Sequence, residues 1–265
     1  MRRGKGLIAL VLASLLTACV TSPTGRSQLM LVSDAQISQM GVAAFDQLKK
    51  ETPLSGDART NRYVSCVADA LIDAMPAEQT GGWEVRVFEQ ESANAFALPG
   101  RKIGIHTGLL EVAVNDAQLA AVIGHEIGHV LAQHSAERMS LQYAAQGGGA
   151  LLAILLGEAT QEKGLLLAAL GLGAQYGVLL PYSRIQESEA DGIGLELMAR
   201  AGFDPAEAVA LWRNMSAQGG DQPPEFLSTH PSHATRIADL QRQLAQVQPL
   251  HERARAEGRR PSCQR

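Results

Sequence analysis

The sequence predicts an α+β fold, mainly helical, with a small β-sheet beside one central helix. Three observations carry that prediction. Apolar residues recur every three to four positions in segments spread from residue 33 to residue 247, the period of helices with one buried face. Period-two alternation is confined to short runs between residues 83 and 106. At 265 residues, 46% apolar and 19% charged, the chain is long enough for one sizeable core or two small ones. A net charge of −4 and only 4% aromatic residues argue against a nucleic-acid partner, which calls for basic patches or stacking platforms.

Residues 1–18 read as a signal peptide outside the fold. Arg2, Arg3 and Lys5 precede the apolar run Leu7–Leu16, which is too short to span a bilayer. Leu16-Thr17-Ala18-Cys19 resembles a bacterial lipobox, in which cleavage leaves a lipidated Cys19 at the mature N-terminus. An ordinary secretory signal is the alternative. Val20, rather than Asp, after the Cys resembles Gram-negative lipoproteins sorted to the outer membrane and facing the periplasm. Residues 19–32 then form the lipidated Cys and a tether containing Pro23, Gly25 and Ser27. In that oxidising compartment the two remaining thiols, Cys66 and Cys263, are expected to pair, tying the C-terminal tail to an early helix.

Ser33 caps a helix running to Lys50, which Thr52–Gly56 breaks. Asp57 to Met75 is a second helix with Val64, Val67, Leu71 and Met75 inward. Trp83–Phe88, Asn94–Leu98 and Lys102–His106 are three strands of a small antiparallel or mixed sheet, with Pro99-Gly100 turning between the last two. The middle strand is either a plain structural hairpin arm or an edge that accepts an extended peptide.

The stretch Asn115–His134 is the central helix. Asn115 is its N-cap, with Gln118 placed for a capping box. Leu119, Ile123, Ile127 and Val130 give it an apolar face. His125 and His129 are one turn apart, so both imidazoles leave the same side and can share a tetrahedral Zn²⁺. Glu126 leaves the helix about 100° further round, where it can face the reacting water instead of the ion. A chain with 7 His and 27 acidic residues offers His-acid-x-x-His about 0.02 times by chance, so this H-E-x-x-H is a specific signal. Gly124 and Gly128 weaken the helix unless another backbone packs closely there.

After it come two apolar, Gly-containing runs, 135–156 and 164–180. Over 146–180 they read as a buried helical hairpin, with a mobile cover over the site or a membrane-contact patch as the alternative. A helix from Tyr182 to Arg200 stops at Gly202, another runs from Pro205 to Gln218, and 219–225 is a loop. The last helix is expected over Ala234–Val247. Two His leave a zinc ion short of a protein ligand, and Glu187, Glu189 and Asp191 are the candidates. Glu187 and Asp191 are i,i+4 and share a face, so one can bind the ion while the other accepts a ligand's second ring N–H. Glu189 lies on another face and is expected to be solvated.

His125-Glu-Ile-Gly-His129, Glu187-Ser-Glu-Ala-Asp191, the Asn94-Ala95-Phe96 strand with Ile103–Leu110, and His230-Pro231 with Arg236 stand in one order. In that order the chain resembles the HtpX, CAAX-prenyl-protease and Oma-type zinc metallopeptidases over roughly residues 33–247. It has neither spanning helices nor a tetratricopeptide-like repeat, and so is most similar to the periplasmic lipoprotein members. The resemblance implies a zincin (gluzincin) domain over 33–250, with a polar tail 251–265. It implies one Zn²⁺ on His125, His129 and Glu187, Glu126 as general base, and Asp191 behind a ligand His. It places substrate along Asn94, Ala95 and Phe96, and gives His230 and Arg236 roles in catalysis, His230 as a latch on the zinc or an oxyanion donor. It further implies unfolded or misassembled envelope proteins as substrates, attachment to the membrane by the lipid, and outer-membrane assembly machinery or other proteases as partners. A mostly latent assembly factor acting by binding is the main alternative, and a hydrolase of cell-wall amides a weaker one. His106, His134, His233 and His251 are expected to be structural or superficial.

Overall fold

A computed structural model describes residues 19–145, 183–217, 226–230 and 235–265. The signal segment 1–18, the apolar stretch 146–180, the loop 219–225 and His233 lie outside the described residues. What is described is mainly helical, with two small sheets.

Strands β1 (Cys19–Thr21) and β2 (Ser27–Leu29) form an antiparallel hairpin where the sequence suggests a plain tether. It is held because its polar side chains complete buried groups: Gln28 Nε2 donates to the Ala132 carbonyl at 2.7 Å, and Arg26 pairs with Glu137 at 2.5 Å. Burial works against ionised Glu137, but Arg26 and Gln186 donate to it and keep its pKa below the ordinary value.

Helix α1 (Asp34–Glu51) starts with the expected Ser33–Gln36 capping box, and α2 (Ala58–Ile72) with Asp57 accepting from two backbone N–H groups. Phe45 of α1 packs edge-on against Phe88 in a small satellite core. A Cβ at Gly41 would lie 2.1 Å from the Pro99 carbonyl oxygen, so only glycine lets α1 rest on that turn. After a short α3 (Ala77–Thr80) come β3 (Glu84–Phe88), β4 (Ala95–Leu98) and β5 (Lys102–His106). The sheet is mixed, in the order β3-β5-β4, with β3 parallel and β4 antiparallel to β5. Strand β4 is therefore an edge, and it packs beside the central helix.

The remaining elements are α4 (Leu109–Val112), α5 (Asp116–Leu131), α6 (His134–Ala145), α7 (Arg184–Ala201), α8 (Ala206–Ala217), α9 (Phe226–Thr229) and α10 (Arg236–Ala256). Asn115 caps α5 by accepting from Gln118 N–H, while the Gln118 amide reaches one residue further back, to Val114 N–H. The main core lies between α2, α5, α7, α8 and the sheet, with Leu71, Ile103, Leu119, Ile123 and Met198 fully enclosed. Helices α5 and α7 run in backbone contact, as Gly124 and Gly128 suggest: a Cβ at Gly128 would sit 2.8 Å from the Ala190 carbonyl. Helix α10 continues through Pro249 to Ala256, beyond the expected end at Val247. Pro249 removes one donor, but Ala245, whose carbonyl loses its partner, is exposed and can be hydrated. No described helix is long and apolar enough to cross a membrane.

Cys66 and Cys263 are bonded, with Cα atoms 5.7 Å apart and a sequence separation of 197. Closing so long a loop restricts the unfolded chain strongly, so Cys66→Ser is expected to cost about 2–5 kcal/mol. Urea unfolding of wild type with and without reductant checks this, and coincident midpoints would contradict it.

Candidate metal centre

Four elements converge on one buried point. Helix α5 supplies His125, Glu126 and His129; α7 supplies Glu187 and Asp191; His230 follows α9; Arg236 opens α10. All seven are at most 6% exposed, which for ionisable groups demands mutual compensation.

His125 Nε2 lies 3.0 Å from His129 Nε2 and 3.1 Å from His230 Nδ1. Glu187 oxygens lie 3.1 Å from His230 Nδ1 and 3.5 Å from each of the other two rings. Donors about 2.0–2.1 Å from a tetrahedral ion stand about 3.3 Å from one another, so these spacings suit donors that share one ion. The chemistry agrees: three imidazoles and a carboxylate are a donor set that borderline cations prefer. His125, His129, Glu187 and His230 could thus hold a metal ion.

Behind the donors a second layer orients them. Asp191 Oδ1 is 2.9 Å from His125 Nδ1, which fixes that ring with Nε2 toward the donor cluster. The Arg236 guanidinium donates to both Asp191 oxygens at 2.9 and 2.7 Å and to Glu187 Oε2 at 2.6 Å. Its other face lies on the Trp212 ring, 3.5 Å from the centroid. Arg236, expected to act in catalysis, is fully buried behind two carboxylates and positions them. Burial opposes ionisation of both acids. Arg236 and His125 outweigh it at Asp191, while the three histidines outweigh it at Glu187, which stays ionised well below the usual range. Burial also disfavours a proton on His125, yet Asp191 and Glu187 lift its pKa to about 9, and a metal ion entering here displaces that proton. His129, under burial and the neighbouring His125 ring, falls well below its ordinary value and stays neutral.

Glu126 is different. Its side chain is buried, no side chain donates to its oxygens within hydrogen-bond geometry, and the backbone N–H of Ala97 on β4 faces it. His230 Nε2 stands 3.3 Å from one of them. Burial raises its pKa against the pull of His230 and His125, which favours its taking up a proton. His230 is stacked on Phe226, centroids 4.3 Å apart, and the Phe226 N–H bonds the Ala93 carbonyl just before β4. The ring therefore joins the donor cluster with Nδ1 and faces Glu126 with Nε2.

The expected substrate strand lies alongside. Phe96 and Leu98 pair with Gly104 and Lys102, and the His106 N–H bonds the Asn94 carbonyl. By antiparallel alternation the peptide groups of Ala95 and Ala97 face away from β5, toward the open edge. Asn94 is buried, while the Phe96 ring sits over Gly104, where a Cβ would meet it at 2.2 Å. A cleft of about 410 Å³ opens next to His129 and Ala97, lined also by Ile37, Pro99, Arg101 and Gln133.

Glu189 departs from expectation, and of the two alternatives for His134 the structure shows the structural one. Glu189 is not solvated but buried, bonded to Arg26, Thr24 and His134. His134 is fully enclosed and structural, and its Nδ1 lies 2.8 Å from the Nδ1 of His129. Its place five residues after His129 is the one signal in the sequence that marks it.

Residues 58–244 match Peptidase family M48. The mitochondrial metalloendopeptidase OMA1 of Schizosaccharomyces pombe is 38% identical over 195 residues, covering 73% of this chain and 56% of that protein. The beta-barrel assembly-enhancing protease of Escherichia coli is 30% identical over 231 residues, 85% of this chain and 47% of that protein. The human mitochondrial metalloendopeptidase OMA1 is 30% identical over 246 residues, covering 88% and 47%. The chain spans about half the length of these curated relatives.

Proposed function

We propose that this chain, which belongs to Peptidase family M48 and is a metalloprotease, is a zinc-dependent endopeptidase of the bacterial periplasm. Its substrates are misfolded or misassembled envelope proteins, and Cys19 anchors it by lipid to the outer membrane. The observation that carries the zinc reading is the buried cluster of His125, His129, Glu187 and His230 with a buried carboxylate, Glu126, against it. The compartment rests on the signal-like segment and the lipobox-like Leu16–Cys19, because relatives named for mitochondria belong to the same family. The relative named a beta-barrel assembly-enhancing protease supports envelope proteins as the substrate class.

His125, His129 and Glu187 would hold the ion. Zinc, when bound, would supply a Lewis acid that lowers the pKa of a bound water toward about 7 and polarises the scissile carbonyl. Glu126 accepts the proton of the attacking water and passes it to the departing amine. The substrate lies extended on the β4 edge, where the Ala95 peptide group and the Ala97 carbonyl hydrogen-bond its backbone and leave the cleft for a side chain. Asp191 and Arg236 keep His125 and Glu187 in place throughout.

His230 favours a second state of the same enzyme, a latent one, because its ring stands where water and substrate must enter. His230→Ala is expected to raise casein hydrolysis severalfold at unchanged zinc content. A fall in turnover would instead assign His230 to the reaction itself.

A further inference from the structure

Peptide hydrolysis uses one ring nitrogen of His129, and the other leads away from the cleft to the N-terminal hairpin. His129 Nδ1 lies 2.8 Å from His134 Nδ1, and His134 Nε2 lies 3.2 Å from Glu189 Oε2. Glu189 is held in turn by Arg26 Nε at 2.7 Å and by the Thr24 hydroxyl at 2.5 Å. The terminal nitrogens of Arg26 grip Glu137 at 2.5 and 2.8 Å, and Gln28 donates to the carbonyl of Ala132, which follows α5 directly. Residues 22–28 thus reach the back of the metal centre across 163 residues of sequence between Arg26 and Glu189.

Donor and acceptor roles give this chain a direction. An ionised carboxylate only accepts, so His134 Nε2 carries the hydrogen that Glu189 receives. A neutral His134 then presents a lone pair at Nδ1, and His129 Nδ1 must donate to it. The remaining lone pair of His129 is therefore on Nε2, the nitrogen facing His125 and Glu187. The opposite tautomer would point a hydrogen into the donor cluster. A ligand histidine is ordinarily fixed by a carboxylate, a carbonyl or a water. Here an imidazole stands between ligand and carboxylate, and the carboxylate is anchored by the hairpin.

We propose that Arg26, Glu189 and His134 are positioning residues through which the docked hairpin 19–29 fixes the tautomer of the metal ligand His129. The inference rests on the zinc reading above, and deepens it by making the N-terminal segment part of the metal centre.

Zinc dissociation constants of the full chain, measured against a competing chromophoric chelator, test it as a double-mutant cycle. His134→Leu is expected to weaken zinc binding by about 10- to 100-fold. His134→Gln, whose amide can accept from His129 and donate to Glu189, is expected to restore most of the loss. Arg26→Met is expected to weaken binding severalfold on its own and to add nothing in the His134→Leu background. A hairpin that only packs against the domain would give the same Arg26→Met factor in both backgrounds, or none in either, and each result overturns the proposal. Where His134→Leu does not fold, imidazole ¹⁵N shifts of the metal-free Arg26→Met chain decide. A mixed His129 tautomer is expected, and an unchanged single tautomer overturns the relay. Wild type that takes up no zinc would remove the metal reading itself, a result distinguishable from all of these.

Discussion

Glu126→Gln is expected to leave zinc content unchanged and to cut peptide hydrolysis by about 10²- to 10⁴-fold, the contribution of a positioned general base. The amide matches the carboxylate in shape, so the buried site keeps its packing. It cannot accept a proton from water, so the step assigned to Glu126 is lost. Zinc should stay because Glu126 is not among the four clustered donors. The melting temperature should not fall, since Glu126 is fully buried and an amide there carries no charge to desolvate. Zinc analysis, casein hydrolysis and calorimetry on the same preparation check all three. Retained turnover would remove Glu126 from the mechanism.

Gly194→Ala separates packing from helix propensity by sign. In an exposed helix interior, Ala in place of Gly stabilises by about 1 kcal/mol. At Gly194 the added Cβ would lie 2.9 Å from the His125 backbone nitrogen and 3.0 Å from the Gly124 carbonyl carbon, with no flexible group to yield. The helices α5 and α7 must then part, moving His125 and His129 away from Glu187. The expected result is a net destabilisation of about 1–3 kcal/mol together with weaker zinc binding. Gly192→Ala is the control: its Cβ would meet only the end of the Gln243 side chain at 3.1 Å. There the propensity gain should show as equal or greater stability. Chemical denaturation of both variants decides, and a stabilised Gly194→Ala would contradict the backbone contact on which the site's geometry depends.

The chemistry of this chain is legible in its sequence where it depends on spacing within one helix. His125, Glu126 and His129 follow from one turn of α5, and the Glu187–Asp191 pair from one turn of α7. Caps at Ser33 and Asn115 were readable because each is a local side-chain-to-backbone bond. Gly124 and Gly128 even announced a close neighbour, though not which helix it would be. Glu189 was not legible, because α7 is enclosed on several sides and the partner that completes its outward face comes from the N-terminal hairpin. His134 and Arg26 were hidden for the same reason: their roles exist only once distant segments meet. The length of α10 was lost to Pro249, which ends most helices but here sits where a hydrated carbonyl costs little.

The most direct test of the metal centre is the zinc content and casein hydrolysis of the purified chain before chelation, after it, and after zinc is restored. One zinc per chain, hydrolysis that disappears with the metal and returns with it, and loss of both in His129→Ala is the predicted result. A chain that binds no zinc, or that hydrolyses casein equally well without it, would contradict the assignment of His125, His129 and Glu187 as a catalytic metal site.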